Sequence, residues 1–291
     1  MKIRGNISTL TYALKVLKTF GAKADSKIAI QVPEEYEDAN IMSITAIIGS
    51  RASVMANVIV VGASCIPDEN KHYSPFDPSW LHDIITKTIE TLDTDADIKI
   101  ENGILEMGDG TDFVLKKRYQ SATHLDVQTH LKRMKLDKIY DENLRLQIDE
   151  EKGVEKDSAD MLIPSLKKHL DRSKIVNEEA VIIKFGGTKD VSLVTINGAE
   201  IYVGEIQTTK VEISKDAMGG FSTKRIEDVL SLKPDTISLD IPIINGIPAK
   251  LGLWTIRKTF GENSEYLVDA CITMANSSRA LKMIGQITKS R

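Results

Sequence analysis

The sequence predicts an α+β protein built from two domains, in each of which two helices pack on antiparallel strands. The chain has 291 residues, which exceeds one typical domain, so two hydrophobic cores are the natural expectation. Short runs that alternate apolar and polar residues, separated by turn residues, are frequent in both halves and are typical of antiparallel strands. The order strand, helix, four strands, helix, three strands occurs in each half, which indicates a duplicated unit.

The composition is that of an ordinary soluble globular protein, with 42% hydrophobic and 27% charged residues. A formal net charge of −4 argues against a protein coated in positive charge, although a basic stripe on particular elements would still bind phosphate. No run approaches the roughly 18 apolar residues that a membrane span needs, and the N-terminus does not resemble a signal peptide. Cys65 and Cys271 are too few for a disulfide framework or a cysteine zinc site. We therefore expect an intracellular protein with no membrane partner.

The first half begins with a strand, Met1–Ile7, that leads directly into a helix for which Ser8 is the expected cap. The apolar residues of this helix recur at helical spacing on one face, and Gly21 stands where a helix commonly ends. A second helix is predicted from Pro78 to about Leu92. The predicted strands of this half are Lys27–Val32, Ile41–Ile48, Val54–Val61, Cys65–Tyr73, Ala96–Glu101, Ile104–Met107 and Asp112–Arg118.

A loosely patterned segment rich in histidine and lysine separates the two halves. We read it as a connector, because neither the helical nor the strand period persists through it. The predicted organisation is an N-terminal domain at 1–119, a connector at 120–142 and a C-terminal domain at 143–291.

The second half repeats the order of the first with a strand at Asn143–Ile148, a helix from about Asp157 to Ser173 and a second helix at Ser222–Leu232. A polar tail is expected after the last strand, through Arg291. The other predicted strands are Ala180–Phe185, Val191–Ile196, Glu200–Ile206, Lys210–Ser214, Thr236–Ile243, Ala249–Arg257 and Tyr266–Met274.

The sequence carries no catalytic motif. The segment Gly186-Gly187-Thr188-Lys189 lacks the ending of a phosphate-binding loop, and Gly108-Asp109-Gly110 lacks the third glycine of a dinucleotide fingerprint. Ser64 does not stand in a nucleophile-elbow pattern, and the five histidines include no pair with the spacing of a zinc protease. We therefore predict no catalytic residue, no cofactor, no metal site and no enzymatic activity.

Two copies of a unit with two helices on one side of antiparallel strands resemble the DNA sliding clamps, that is, proliferating cell nuclear antigen (PCNA) of eukaryotes and archaea and the phage clamps. The resemblance covers about residues 1–276. Besides the element order, it rests on two local similarities: the opening Met1-Lys2-Ile3 before a helix containing Leu14-Lys15-Val16-Leu17-Lys18, and the segment Phe221–Leu230.

The resemblance implies a processivity factor that encircles duplex DNA as a homotrimeric ring and tethers the replicative polymerase. Its implied partners are double-stranded DNA, DNA polymerase, a clamp loader and further copies of itself, in the cytoplasm, the nucleoid or, for a viral protein, the host cell. The ring would close by antiparallel pairing of Asp112–Arg118 in one subunit with Glu200–Ile206 in the next. Partner motifs would dock near Gln120–Asp141, Ile244–Pro248 and the stretch after Met274, although the basic tail departs from the acidic end of the family.

The basic residues of the predicted helices are the candidate DNA contacts. They lie opposite the apolar faces, so a net-acidic chain would still present phosphate-binding stripes without reading base edges. The alternative is that they are ordinary solvent-facing residues without a DNA role. The basic cluster at the C-terminal end of the third helix would then be explained by its favourable interaction with the helix dipole. The candidates are Lys15, Lys18 and Lys23 at the first helix, Lys87 in the second, Lys167, Lys168 and Arg172 in the third, and Lys224 and Arg225 in the fourth.

Two other functions stay open from the sequence. The first is a two-domain, β-rich structural or adaptor protein that never encloses DNA. The second is a subunit of a heteromeric clamp of the checkpoint type. A mass in solution near three times 32.2 kDa would favour the homomeric clamp, whereas a strict monomer would favour the adaptor.

Overall fold

The computed structural model describes residues 1–21, 27–31, 41–48, 54–66, 76–88, 95–101, 104–108, 114–118, 120, 123–126, 129, 131–132, 153–186 and 190–289. The chain divides into two compact units. Unit 1 comprises Met1–Lys135 and Arg257–Cys271, and unit 2 comprises Leu136–Ile256 and Ile272–Arg291. Sheets of antiparallel strands that carry a few helices make up both units, which confirms the predicted α+β class.

Unit 1 contains a five-stranded antiparallel sheet in the order β5-β1-β6-β7-β8. Strands β2, β3 and β4 pair antiparallel in sequence, and β9 adds to β2 in parallel. The elements are β1 (Lys2–Asn6), α1 (Ile7–Gly21), β2 (Lys27–Gln31), β3 (Ile41–Ile48), β4 (Val54–Val61), β5 (Ala63–Ile66), α2 (Pro78–Thr88), β6 (Asp95–Glu101), β7 (Ile104–Gly108), β8 (Val114–Arg118) and β9 (Thr123–His124).

Unit 2 contains a four-stranded antiparallel sheet in the order β13-β12-β11-β15, and a second sheet in which β10 lies between β14 and β16. The hairpin end of β18 and β19 belongs to unit 1. The elements are β10 (Val154–Met161), α3 (Ile163–Ser173), β11 (Ala180–Phe185), β12 (Val191–Asn197), β13 (Glu200–Ile206), β14 (Thr208–Glu212), β15 (Met218–Ser222), α4 (Thr223–Ser231), β16 (Thr236–Ile244), β17 (Ile247–Pro248), β18 (Leu251–Phe260), β19 (Tyr266–Ala275) and α5 (Ser278–Lys289).

Helix α1 begins one residue earlier than its predicted cap. The Oδ1 atom of Asn6 accepts hydrogen bonds from the backbone N–H groups of Ser8 at 3.0 Å and Thr9 at 3.2 Å. Asn6, and not Ser8, is therefore the cap, because it ends β1 in an extended conformation from which its side chain reaches the first helical turn.

The predicted helix at Asp157–Ser173 is wrong in its first part. Residues Val154–Met161 form β10, which pairs with a strand on each side, and the helix begins only at Ile163, where Pro164 suits the first turn. Asp157, Ala159 and Met161 of β10 are buried and the residues between them are not, which is the strand period. The predicted strand at Asn143–Ile148 lies outside the described residues.

Helix α5 and the strands β15 and β17 of unit 2 were not predicted. The tail that was expected to be only polar forms α5, whose Ala280, Met283, Ile284 and Ile287 have the spacing of one helical face. Gly219 and Gly220, which precede the predicted helix at Ser222–Leu232, lie inside β15. In unit 1, the predicted strand Cys65–Tyr73 ends at Ile66 within the described residues.

Buried Asp157 organises the loop between β14 and β15. One of its carboxylate oxygens accepts the N–H groups of Ser214 at 2.6 Å and Lys215 at 3.1 Å, and the other accepts that of Ala217 at 2.6 Å. The Ser214 hydroxyl also donates to Asp157 at 3.2 Å. A single carboxylate thus satisfies the donors of a loop that has no strand partner of its own.

Helix α3 packs on β13 through His169. The Nδ1 atom of His169 lies 2.8 Å from the Tyr202 hydroxyl, and any side chain at Gly204 would collide with the same ring. Burial, followed by the charges of Lys168 and Arg172, lowers the pKa of His169 from its ordinary value of 6.5.

We predict that Asp157→Asn destabilises the protein by about 2 kcal/mol or more, because the amide turns a donor toward N–H groups that need an acceptor. The free energy of unfolding in urea measures the effect. Asp216→Asn is the matched control, since Asp216 is exposed in the same loop and its positive φ of 53° suits asparagine. A loss under about 0.5 kcal/mol in Asp157→Asn would contradict the assigned role.

We also predict that acid weakens the fold through His169. Its folded pKa lies below its unfolded pKa, so protonation favours the unfolded chain. The stabilisation is present above pH about 6.5 and is lost as the pH falls through the folded pKa. The urea midpoint of the wild type should therefore fall more between pH 7.5 and pH 5 than that of His169→Gln. Equal falls in the two proteins would show that His169 does not carry this dependence.

Candidate nucleic-acid interface

Helix α1 exposes a single stripe of its surface. Leu14, Leu17 and Phe20 are at most 2% exposed, and most other apolar side chains of the helix are buried as well. The exposed residues recur every three or four positions and include Lys15 and Lys18. Packing therefore directs both lysines to solvent on the same stripe.

Helix α2 lies against α1 and neutralises part of that stripe. The Lys18 ammonium lies 2.5 Å from the Asp83 carboxylate, and this contact, followed by that of His82, holds the pKa of Asp83 below its usual value. Lys15 and Lys87 are exposed and have no ion pair within the described part of the chain. They are the unpaired cations of these two helices.

Helix α3 concentrates positive charge. Leu166 and Leu170 are buried, which leaves Lys167, Lys168 and Arg172 on the exposed side. Among the described residues none of these three cations forms an ion pair, whereas the next cation along the chain, Lys174, binds Glu227 of α4 and Asp171. Those contacts raise the pKa of Lys174, with Glu227 the larger cause.

Helix α4 contributes less than the sequence predicts. Lys224 is exposed, but Arg225 is half-buried and lies 3.5 Å from Asp228. Burial raises the pKa of Asp228, and the charge of Arg225 opposes that shift. Lys23, another predicted contact, lies outside the described residues.

The four helices α1 to α4 are basic in an acidic protein. Together they carry eight lysine and arginine residues but only four aspartate and glutamate residues, while the whole chain has a net charge of −4. Six of the predicted contacts are exposed and without an ion pair in the described part: Lys15, Lys87, Lys167, Lys168, Arg172 and Lys224. In each unit, exposed cations of this kind attract phosphate without a built pocket.

Two edge strands carry opposite charge. Strand β8 ends the five-stranded sheet of unit 1 and exposes Lys117 and Arg118, while β13 ends the four-stranded sheet of unit 2 and exposes Glu200 and Glu205. On one face of β13 the apolar Ile201 and Val203 are 64% and 62% exposed. Sequence reasoning named both strands but missed this apolar pair, since alternation alone does not show which strand lies at an edge.

Two features of the described residues bear on chemical reactivity. They contain no group of three or more His, Cys, Asp or Glu side chains that could hold a metal ion. Burial raises the pKa of the Cys65 thiol to about 12, which keeps it from acting as a nucleophile. None of the described helices has both the length and the apolar character that crossing a membrane requires.

Solved structures of sliding clamps share the architecture of this chain. PCNA from Thermococcus kodakaraensis matches with a TM-score of 0.57 at 12% identity, over 93% of this chain and 98% of that chain. A. fulgidus PCNA, bound to the C-terminal region of FEN-1, matches with a TM-score of 0.55 at 10% identity, over 95% and 99%. The C. crescentus β sliding clamp matches with a TM-score of 0.58 at 13% identity, over 95% of this chain and 66% of that chain.

Similarity at the level of sequence is not detected, because no family model and no curated protein matches the chain. The likeness is therefore one of three-dimensional architecture. It extends over nearly the whole chain and over nearly the whole of the PCNA subunits. We conclude that this chain has the DNA sliding clamp fold.

Proposed function

We propose that this protein is a sliding clamp, which closes into a homotrimeric ring around duplex DNA and tethers a replicative polymerase without catalysing a reaction itself. The observation that carries the proposal is the exposed basic stripe of each helix pair in an acidic chain of this fold. The proposed organisation is two clamp domains, 1–119 and 143–291, joined by a connector at 120–142. The protein would act inside the cell, where its DNA is.

The mechanism requires weak interactions with the DNA backbone. Lysine and arginine side chains bind phosphate oxygens without reading bases, so a cation that leaves one phosphate can bind the next one along the strand. The cations Lys15, Lys167 and Arg172 suit this role, because no carboxylate in the described residues holds them in place. The duplex would then be retained by the closed ring, and the many weak contacts would slow its escape whenever the ring opens.

Ring closure is proposed to use the edges of β8 and β13. An unpaired strand edge favours pairing with another chain, and the basic β8 complements the acidic β13. Antiparallel pairing would also cover part of the exposed Ile201 and Val203. Because one chain carries both edges, identical copies can close a ring, which favours a homomeric assembly over a heteromeric one.

We propose DNA polymerase and a clamp loader as partners, by analogy with solved structures of this fold. The A. fulgidus PCNA structure contains the C-terminal region of FEN-1, and the H. pylori β clamp structure contains a DNA ligase peptide. Proteins of this fold thus bind short segments of DNA-processing enzymes. A non-encircling adaptor remains the alternative, and retention on circular DNA distinguishes it.

We predict that replacing Lys15, Lys87, Lys167 and Arg172 together by alanine leaves the ring intact but shortens its lifetime on closed circular duplex DNA by about tenfold or more. Folding should survive, because exposed helical residues change stability by under about 0.5 kcal/mol each. The lifetime is measured after loading by the cognate clamp loader, from low to high salt, and its salt dependence should become shallower.

The control removes the same charge elsewhere. Lys132, Lys215, Lys250 and Lys282 are exposed and lie outside α1 to α4, so their joint replacement by alanine should preserve retention. If the two quadruple variants and the wild type stay on circles equally well at every salt concentration, these helices do not face the duplex. Failure of the wild type to stay on circles at all would favour the adaptor.

The edge pairing generates a second prediction. Glu200→Lys with Glu205→Lys should dissociate the trimer at low concentration, because β13 then repels the basic β8. Adding Lys117→Glu and Arg118→Glu restores opposite charges and should restore the trimer. Sedimentation measures the mass against the expected three times 32.2 kDa.

The matched control is Glu178→Lys with Glu262→Lys, which makes the same charge change at exposed positions outside both edge strands. This variant should remain trimeric. A trimer that withstands the β13 substitutions as well as the control does would show that another surface closes the ring.

A further inference from the structure

Helix α5 covers one face of the four-stranded sheet of unit 2. Successive residues of a strand point to opposite faces, so α3, which packs on Tyr202 and Gly204, and α5, which packs on Val194 and Ile196, lie on opposite sides. We call the side under α5 the helix-binding face. Its members are Ala180, Ile182, Val194, Ile196, Met218 and Gly220.

The helix-binding face is shaped for a helix. A Cβ atom at Gly220 would lie 2.5 Å from the Cβ of Ala280, so the absence of a side chain there lets α5 approach the strand backbone. Met283 is 4% exposed and its sulfur lies 3.6 Å from the Nδ2 atom of Asn177. At the rim, Arg279 binds Glu179 at 2.7 Å.

The attachment of α5 is limited. Among residues 278–288, whose burial the structure describes, only Ala280 and Met283 are buried, while Ile284 and Ile287 are half-buried. Two residues, Asn276 and Ser277, join it to β19, and they bond to Gly220 through the Asn276 Oδ1 atom and the Ser277 N–H group. Most of the helix-binding face is thus a narrow apolar strip, which one amphipathic helix covers.

The corresponding sheet of unit 1 shows that such a face need not be apolar. On the exposed side of β6 and β7 it presents Lys99, Glu101 and Glu106, with Ile104 among them. A charged face is stable in water without a cover, whereas the helix-binding face needs one. The difference points to a surface suited to holding a helix.

We propose that the helix-binding face is a docking site for an amphipathic helix of a partner protein, and that α5 occupies it in cis. The chemistry of the partner helix follows from α5. It carries a small residue against Gly220, apolar residues three, four and seven positions later, and a basic residue just before the small one to meet Glu179. The proposal does not depend on ring formation or on DNA.

The test uses the full chain and a fluorescein-labelled peptide of residues 276–291 as the probe for a partner helix. Met283→Asp displaces α5, so this variant should bind the peptide at least tenfold tighter than the wild type by fluorescence anisotropy. Adding Gly220→Val to Met283→Asp should abolish the gain, because the valine side chain occupies the space of the small residue. No gain in Met283→Asp would overturn the proposal.

Lys282→Asp is the matched control, since it introduces the same side chain on the exposed side of α5. It should bind the peptide as weakly as the wild type, and a gain equal to that of Met283→Asp would refute the assignment of the face.

Hydrogen exchange of the wild type gives a second test, which does not depend on any variant being folded. Amides of α5 should exchange at least tenfold faster than those of β11 and β12, and equal rates would place α5 in the permanent core.

Discussion

Burial of the helices on their sheets is the interaction on which the rest of this structure depends. A fully buried leucine contributes about 1.5–3 kcal/mol, whereas an exposed ion pair contributes about 0–1 kcal/mol. Packing of Leu14, Leu17, Leu166 and Leu170 therefore fixes how each helix is rotated. The lysines and arginines lie on the side of each helix that is left exposed. The packing of the apolar side chains therefore decides where the positive charge lies.

Within each unit, neighbouring carboxylates decide which of the basic side chains of the helices are available. Asp83 binds Lys18, and Asp228 lies close to the half-buried Arg225, so both cations are partly neutralised. Lys167 and Lys168 are exposed and have no such partner among the described residues. Because these carboxylates are exposed or only partly buried, they moderate the surface charge and do not create deep, immobile ion pairs.

The four-stranded sheet of unit 2 has an apolar side and an apolar edge, and the two differ in what covers them. The apolar side of the four-stranded sheet is closed within the chain by α5, through Ala280 and Met283. The edge of the same sheet, at Ile201 and Val203, has no cover within the described residues. A backbone edge and exposed apolar side chains on the same strand favour association, so the proposed assembly and the proposed helix docking would use different parts of one sheet.

The sequence by itself determined the fold class, the order of most elements and the basic character of α1 and α3, because hydrophobic period and turn residues are local signals. It did not separate β10 from the helix after it. The buried carboxylate of Asp157 accepts hydrogen bonds from a loop about 60 residues away, and a local pattern cannot show such a contact. It also missed β15, in which Gly220 allows the close approach of α5. Only the tertiary structure decided that Lys18 is paired, that Arg225 is half-buried and that β13 lies at an edge, because each depends on contacts between residues distant in the chain.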